Sequence, residues 1–330
     1  MTTPLSPNTQ ATLLLTAPLI TNGGAEPADT LTRSEYVQLS NTLAKANHTP
    51  ALLLHSNEED LPDEVAMLID GDRIQKLLSR GLQLTQALEH WQSRAIWVLG
   101  RTDDGYPERL NDRLKDHSPP VLYGCGDPDL LNSGGLAVVG SRDVDATLIE
   151  FTERIGRLTA QVGRTLVSGA ARGIDQAAMR GALEAGGQVI GVMADSLERA
   201  ALNRAHRELL LDSKLVLISP YDPSAGFNVG HAMQRNKFIY ALSDAAVVVN
   251  SDYEKGGTWA GAVEQIEKLR LVPIYVRSNG EIGKGLEALQ RRGALPWPNP
   301  STPQELNELL SQAIIDTHVS RSEQMSFLEH

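Results

Sequence analysis

From Gly135 onward the chain alternates two patterns. Runs of three to five apolar residues occupy 136–139, 165–167, 189–193, 215–218, 245–249 and 272–276, too short and too continuous for amphipathic helices, and predict buried strands. Between them, 146–162 sets Leu148, Phe151, Ile155, Leu158 and Val162 on one helical face and stops at Gly163. Further helices are predicted at 174–185, 200–211, 231–241 and 259–269. Strand and helix in alternation predict an α/β core, a parallel sheet covered by helices on both faces. A ligand site then belongs at the carboxyl ends of the strands.

The first hundred residues carry a different pattern. Helical segments are predicted at 10–19, 32–46 and 72–91, with Ser34 as a cap for the second. They are separated by Asn22-Gly23-Gly24 and by the polar stretch 57–62, and Gly81 interrupts the stripe of the third. A strand at 95–99 and a turn-rich stretch with Tyr106-Pro107, Pro119-Pro120 and Leu122-Tyr123 follow. The division predicted is a helical N-terminal domain at 1–94, a bridge at 95–133, the core at 134–297 and a tail at 298–330 holding one short helix.

Composition narrows the class. With 330 residues, 41% hydrophobic and 22% charged, the chain has the material for one large domain and a smaller one. No apolar run approaches the ~20 residues that span a bilayer. Residues 1–10 hold no Lys or Arg, so a secretory signal would lack its basic region, and the lone Cys125 forms neither a disulfide nor a cysteine cluster within the chain. Both favour a cytoplasmic protein. The net charge of −11 argues against a nucleic-acid partner until its distribution is considered. Residues 134–297 hold 19 Lys+Arg against 18 Asp+Glu, so the acidic excess lies outside the core.

Four turns, each taken as following a predicted strand, carry candidate chemistry. Gly140-Ser141-Arg142 closes the first core strand in a Rossmann-like manner: Gly140 lets backbone approach a ligand, Ser141 is placed to cap the next helix, and Arg142 offers a planar fork for phosphate. Ser168-Gly169-Ala170-Ala171-Arg172-Gly173-Ile174-Asp175 turns small residues and a cation toward a helix start. Arg235-Asn236-Lys237 places two cations around an amide, and Lys255-Gly256-Gly257-Thr258 is a glycine turn at another helix start. Each has a structural reading too, as a plain turn, a dipole partner for Asp175 or a solvated cationic face. Together they predict one phosphate-binding mouth. The chain has no P-loop, no G-x-G-x-x-G after its first core strand, no metal-ligand spacing among its histidines and no histidine beside a nucleophile in these turns, so a binding site without cofactor, metal or catalytic residue is expected.

Tyr106-Pro107, Pro119-Pro120-Val121-Leu122-Tyr123, Val139-Gly140-Ser141-Arg142, the run from Val167 to Asp175 and Arg235-Asn236-Lys237 resemble, in order and spacing, the DprA/Smf family of DNA-processing proteins over about residues 95–295. The resemblance implies an extended Rossmann-like domain that binds single-stranded DNA, dimerises and, in transformable bacteria, hands strands to the RecA recombinase. It implies phosphate contacts by Arg142, Arg172 and Lys237. Departures are Met179 in place of a usual histidine, Phe227 remote from Arg235 where the family has Phe-Pro-x-Arg-Asn, and Gly256-Gly257-Thr258-Trp259 in place of a Ser-Gly-rich element. No C-terminal winged helix is expected. Two other readings compete. One is a nucleoside monophosphate phosphoribohydrolase-like enzyme, echoed by Gly256, Gly257, Thr258 and Glu264, although the glutamate lies too far along the helix. The other is a nucleotide-binding sensor that signals through the acidic N-terminal part.

Overall fold

The computed structural model describes residues 5–19, 29–55, 65 and 67–328, with side chains as far as 317. The breaks expected at 22–24 and 57–62 lie outside the described residues. Among those described, β1 (Trp97–Gly100), β2 (Val121–Cys125), β3 (Leu136–Val139), β4 (Leu166–Ser168), β5 (Val189–Val192), β6 (Leu215–Ser219), β7 (Ala245–Val248), β8 (Ile274–Val276) and β9 (Leu295–Pro296) form one sheet. Its order is β1-β2-β6-β5-β4-β3-β7-β8-β9. The seven strands from β3 to β9 are parallel, while β2 runs antiparallel to β6 and β1 antiparallel to β2. The fold is thus α/β with a mostly parallel sheet. Residues 95–133, expected as a bridge, supply two strands of that sheet.

The apolar runs work as strands because both of their faces are covered. Leu136, Val138, Leu166, Val189, Leu215, Leu217, Ala245 and Val247 point into one hydrophobic cluster. Their neighbours Ala137, Val139, Val167, Ile190, Val216, Ile218, Ala246 and Val248 point into the other. The period of two along each strand therefore serves two cores. The first cluster is completed by α1 (Pro7–Thr16), α4 (Gly81–Gln92), α6 (Ala146–Gln161), α7 (Ile174–Glu184) and α13 (Pro303–Leu328). The second takes α5 (Glu108–Leu114), α10 (Val229–Leu242), α11 (Gly256–Glu264) and α12 (Lys284–Arg291). A third, smaller cluster around Leu39, Leu43, Leu53 and Ile74 joins α2 (Arg33–Lys45) to α3 (Gly71–Leu78).

Several local expectations are corrected. The helix expected over 72–91 is two, α3 and α4, divided at Ser79-Arg80. Buried Arg80 turns there to the carbonyls of Leu14, Ala17 and Leu77, so a cation closes the C-terminal end of α1. Thr32, not Ser34, caps α2, in a reciprocal box with Glu35. Asp145, not Ser141, caps α6 by accepting from the Leu148 N–H at 2.8 Å. The helix expected over 200–211 is divided into α8 (Leu197–Ala201) and α9 (Arg204–Leu211), with Asn203 capping the second. The last helix, expected to be short, has 26 residues, and its first turns bury Leu306, Leu310 and Ala313.

Helices α6 and α7 cross with their backbones in contact. A Cβ on Gly156 would stand 2.3 Å from the Ala178 carbonyl oxygen, and one on Gly181 would stand 2.2 Å from that of Glu153. Gly156→Ala is expected to cost about 1–3 kcal/mol of stability, because two rigid helices must separate to admit one methyl group. Denaturant unfolding reads this directly, and an unchanged midpoint would show that the crossing is slack.

Candidate nucleic-acid interface

The sheet changes direction at β3. Strands β4, β5 and β6 are added on one side and β7, β8 and β9 on the other, so the loops beyond the carboxyl ends of β3, β4 and β7 part and leave a crevice. A cleft of about 520 Å³ opens there, lined by Gly140, Ser141, Arg142, Asp175, Arg235, Asn236, Lys255, Gly256, Gly257 and Thr258 among others. A smaller space of about 310 Å³ adjoins it and brings in Gly169 and Arg172, with Arg142 and Arg235 lining both. Representatives of all four segments therefore meet, but Arg235-Asn236-Lys237 is no turn after a strand: Asn228 starts α10 seven residues earlier, and the three lie inside that helix.

Local constraints fix this arrangement. Gly173 has φ +87° at the start of α7, and a Cβ there would stand 2.5 Å from the Ser141 carbonyl oxygen, so glycine alone lets the first turn rest on the second. The Ile174 N–H donates to that same carbonyl. Thr258 Oγ1 donates to the Gly140 carbonyl oxygen at 3.0 Å, and Asn236 Nδ2 donates to the Gly257 carbonyl oxygen at 2.8 Å. Thr258 and Asn236 thus tie the glycine turn of α11 to β3 and to α10. Ala170, at φ +55°, holds a left-handed conformation at the lip of the cleft without being glycine.

The floor of the cleft is Arg235. A Cβ on Gly169 would stand 1.4 Å from its Nη1, so the guanidinium occupies the space this glycine leaves. Arg235 is 5% exposed and its Nη1 lies 3.9 Å from Asp175 Oδ2, beyond hydrogen-bond reach. Neither Nε nor Nη1 of Arg235 has a hydrogen-bond partner. Both nitrogens are enclosed by protein, so what Arg235 brings to the cleft is a fixed positive charge. Burial pushes the Asp175 carboxyl up to about 6, against the opposing pull of Arg235, the Ala171 and Gly140 backbone and Arg142. Burial, and then the Arg142 charge, lower Arg235, while Asp175 raises it. Arg142 is exposed and lies over the Phe227 ring, 4.9 Å from its centroid. Asp143 and Asp252 also stand on the cleft wall, so its cations are interleaved with carboxylates.

Three of the sequence candidates, Ser168, Gly173 and Lys237, line neither space. Ser168 is fully buried, and its hydroxyl donates to the Val138 carbonyl oxygen at 2.6 Å, joining β4 to β3. Lys237 is not on the cleft wall. Its Nζ donates to Gln234 Oε1 at 2.9 Å, and burial with the nearby Arg33 charge lowers its pKa to about 8. Phe227 was not among the sequence candidates. It lies eight residues before Arg235 yet lines the same cleft, and its signals in the sequence are its likeness to the Phe of the Phe-Pro-x-Arg-Asn element and its place between the turn formers Gly226 and Asn228. Glu264, the carboxylate that an enzymatic reading would use, is not on the cleft wall either; its charge acts on Lys237 and Tyr240. Three residues after Thr258 the chain has Gly261, where Asn236 fills the side-chain space. Among the described residues no three His, Cys, Asp or Glu side chains gather as a metal site, and no helix is long and apolar enough to cross a membrane.

Fold and cleft define an α/β protein with a Rossmann-like sheet and, at its switch point, a crevice that holds Arg142 and Arg235. The family model described as DNA recombination-mediator protein A matches residues 97–303, and the chain belongs to this family, the DprA/Smf DNA-processing proteins. It is 29% identical over 193 residues to the DNA processing protein DprA of Bacillus subtilis, a match that covers 58% of this chain and 64% of that protein. The structure of DNA processing protein A from Streptococcus pneumoniae superposes with a TM-score of 0.68 at 20% identity, covering 93% of this chain and 98% of that one. That of DNA processing protein A from Helicobacter pylori, a structure concerned with its single-stranded DNA binding mode, gives 0.52 at 24% identity, covering 66% and 97%. Both superpositions show a shared fold.

Proposed function

We propose that this protein binds single-stranded DNA by its phosphate backbone, along the cleft at the carboxyl ends of β3, β4 and β7, and presents the strand for recombination. The observation that carries this reading is the fixed positive charge of the buried Arg235, which lines the cleft together with the exposed Arg142. Arg172 and Lys255 extend the cationic path, the glycine turns admit backbone closely, and Phe227 offers a ring on which a base can stack. Membership of a recombination-mediator family supports the same reading, as does the single-stranded DNA binding of the Helicobacter pylori protein. On this reading Ser168 and Lys237 support the cleft from behind and do not touch DNA. Transfer to a RecA recombinase, a homodimer and a cytoplasmic location complete the proposal, all three on family grounds.

Purified protein is expected to retard a long single strand in preference to duplex. If Arg142, Arg172 and Lys255 each neutralise a phosphate, affinity falls roughly twentyfold between 50 and 200 mM salt. Failure to retard a single strand at low salt would remove the reading. Release of free base from nucleoside monophosphates would put the enzymatic one in its place.

A further inference from the structure

A second concavity, of about 760 Å³, lies between α7 and the α8–α9 pair. Its walls are apolar, formed by Met179, Leu183, Met193 and Leu217. Its rim is polar, with Gln176 and His206 among its groups. The opening follows from how α9 sits: none of its side chains is fully buried, and Leu211 at its end is 74% exposed. The helix stands off the sheet instead of sealing it. This groove meets the phosphate cleft, because Ala170 and Met193 line both.

A pocket of this size suits a small ligand, and its chemistry suits one that is flat, apolar on both faces and polar at its edge. A nucleobase has that form, and the two methionines adapt their thioethers to an aromatic ring. Extruded bases are held in this way, between apolar walls and with polar groups at the ring edge. The shared residues Ala170 and Met193 make the connection local: the space lined by Arg142, Arg172 and Arg235 adjoins the groove. A peptide side chain could enter the same walls, but no feature of the groove would link such a partner to the cleft.

We propose that the groove beside Met179 and Met193 receives a base of the single strand whose backbone lies in the adjoining cleft, an inference that rests on the strand-binding reading above. It assigns Met179, on the apolar wall of the groove, to base packing.

The test uses the full chain and two probes of equal length, an oligothymidylate and the same phosphodiester chain with an abasic residue at every position. Ala205 lines the groove from the exposed face of α9 and is not part of the cleft, so Ala205→Trp fills the groove and leaves the cleft cations in place. Wild-type protein is expected to bind oligothymidylate at least about tenfold more tightly than the abasic chain, the effect of seating one base. Ala205→Trp should bind the abasic chain as the wild type does and lose most of the preference for bases, keeping only what stacking on Phe227 supplies. Unchanged abasic binding also certifies that the variant is folded. The inference is overturned if Ala205→Trp keeps the full preference, above all if Phe227→Ala then removes it, because the bases would be stacking at the cleft mouth. If wild-type protein binds neither probe, the strand-binding reading itself is lost, a result distinct from a groove that takes no base.

Discussion

Arg142→Glu is expected to lose single-stranded DNA binding by about a hundredfold to a thousandfold at moderate salt, with little change in stability. The side chain is exposed, so the fold does not depend on it, and surface substitutions away from special features cost little. Its guanidinium, however, lines both parts of the cleft and lies over Phe227. Reversing the charge does more than remove one phosphate contact. It sets a carboxylate against the strand, and like charges placed together cost several kcal/mol. Arg142→Lys should recover part of the affinity, since the charge returns without the planar fork. A gel shift of wild type and both variants, beside a thermal melt of each, checks the prediction. Arg142→Glu protein that is folded and binds normally would show that the strand runs elsewhere.

The second large effect is on pH dependence and comes from Asp175. Its carboxyl is pushed up to about 6 from an ordinary value of 3.8, chiefly by burial. Between those two values the folded protein holds a proton that the unfolded chain has released, so stability falls as pH rises from about 4 to about 6. The full effect of this group is about 3 kcal/mol, and it is complete once pH passes the folded value. A strand bound against Arg235 and Arg142 brings further negative charge beside Asp175 and favours its protonated form. Affinity for single strands should therefore rise as pH falls through 6. Asp175→Asn is expected to flatten both profiles and to tighten binding severalfold near pH 7.5. Unfolding free energies and binding constants of the two proteins at pH 4.5, 6 and 7.5 test this, and parallel profiles would remove Asp175 as the cause.

The core strands were readable because each is a short apolar run buried on both faces, as in Leu136–Val139 and Ala245–Val248. β2 was not, although every one of its residues is buried. Its Gly124 and the preceding prolines suggest turns, and only tertiary structure shows that the Trp97 ring lies where a Cβ on Gly124 would go, 2.3 Å away. The glycine turns were legible by chemistry, since φ and close approach demand those residues. Lys237, given a phosphate contact by the family resemblance, lies off the cleft wall for a helical reason. On a helix, positions 235 and 237 are about 200° apart, so the cleft takes Arg235 and Asn236 while Lys237 turns toward Gln234. The contact of Phe227 with Arg142, across 85 positions, leaves no local pattern.

The depth of Arg235 sets it apart from the other cleft cations. An exposed arginine must give up rotamer freedom when it grips a ligand, at about 1 kcal/mol for each such side chain. Arg235 is already immobile in the space beside Gly169, so that entropy was lost when the chain folded and is not lost again on association. Buried charge is also poorly reached by dissolved ions, whereas Arg142 and Arg172 are screened. On the strand-binding proposal, the cleft combines a preorganised, salt-insensitive anchor with a peripheral, salt-sensitive capture surface. Added salt should then slow the encounter of strand and protein far more than it shortens the lifetime of the complex once formed.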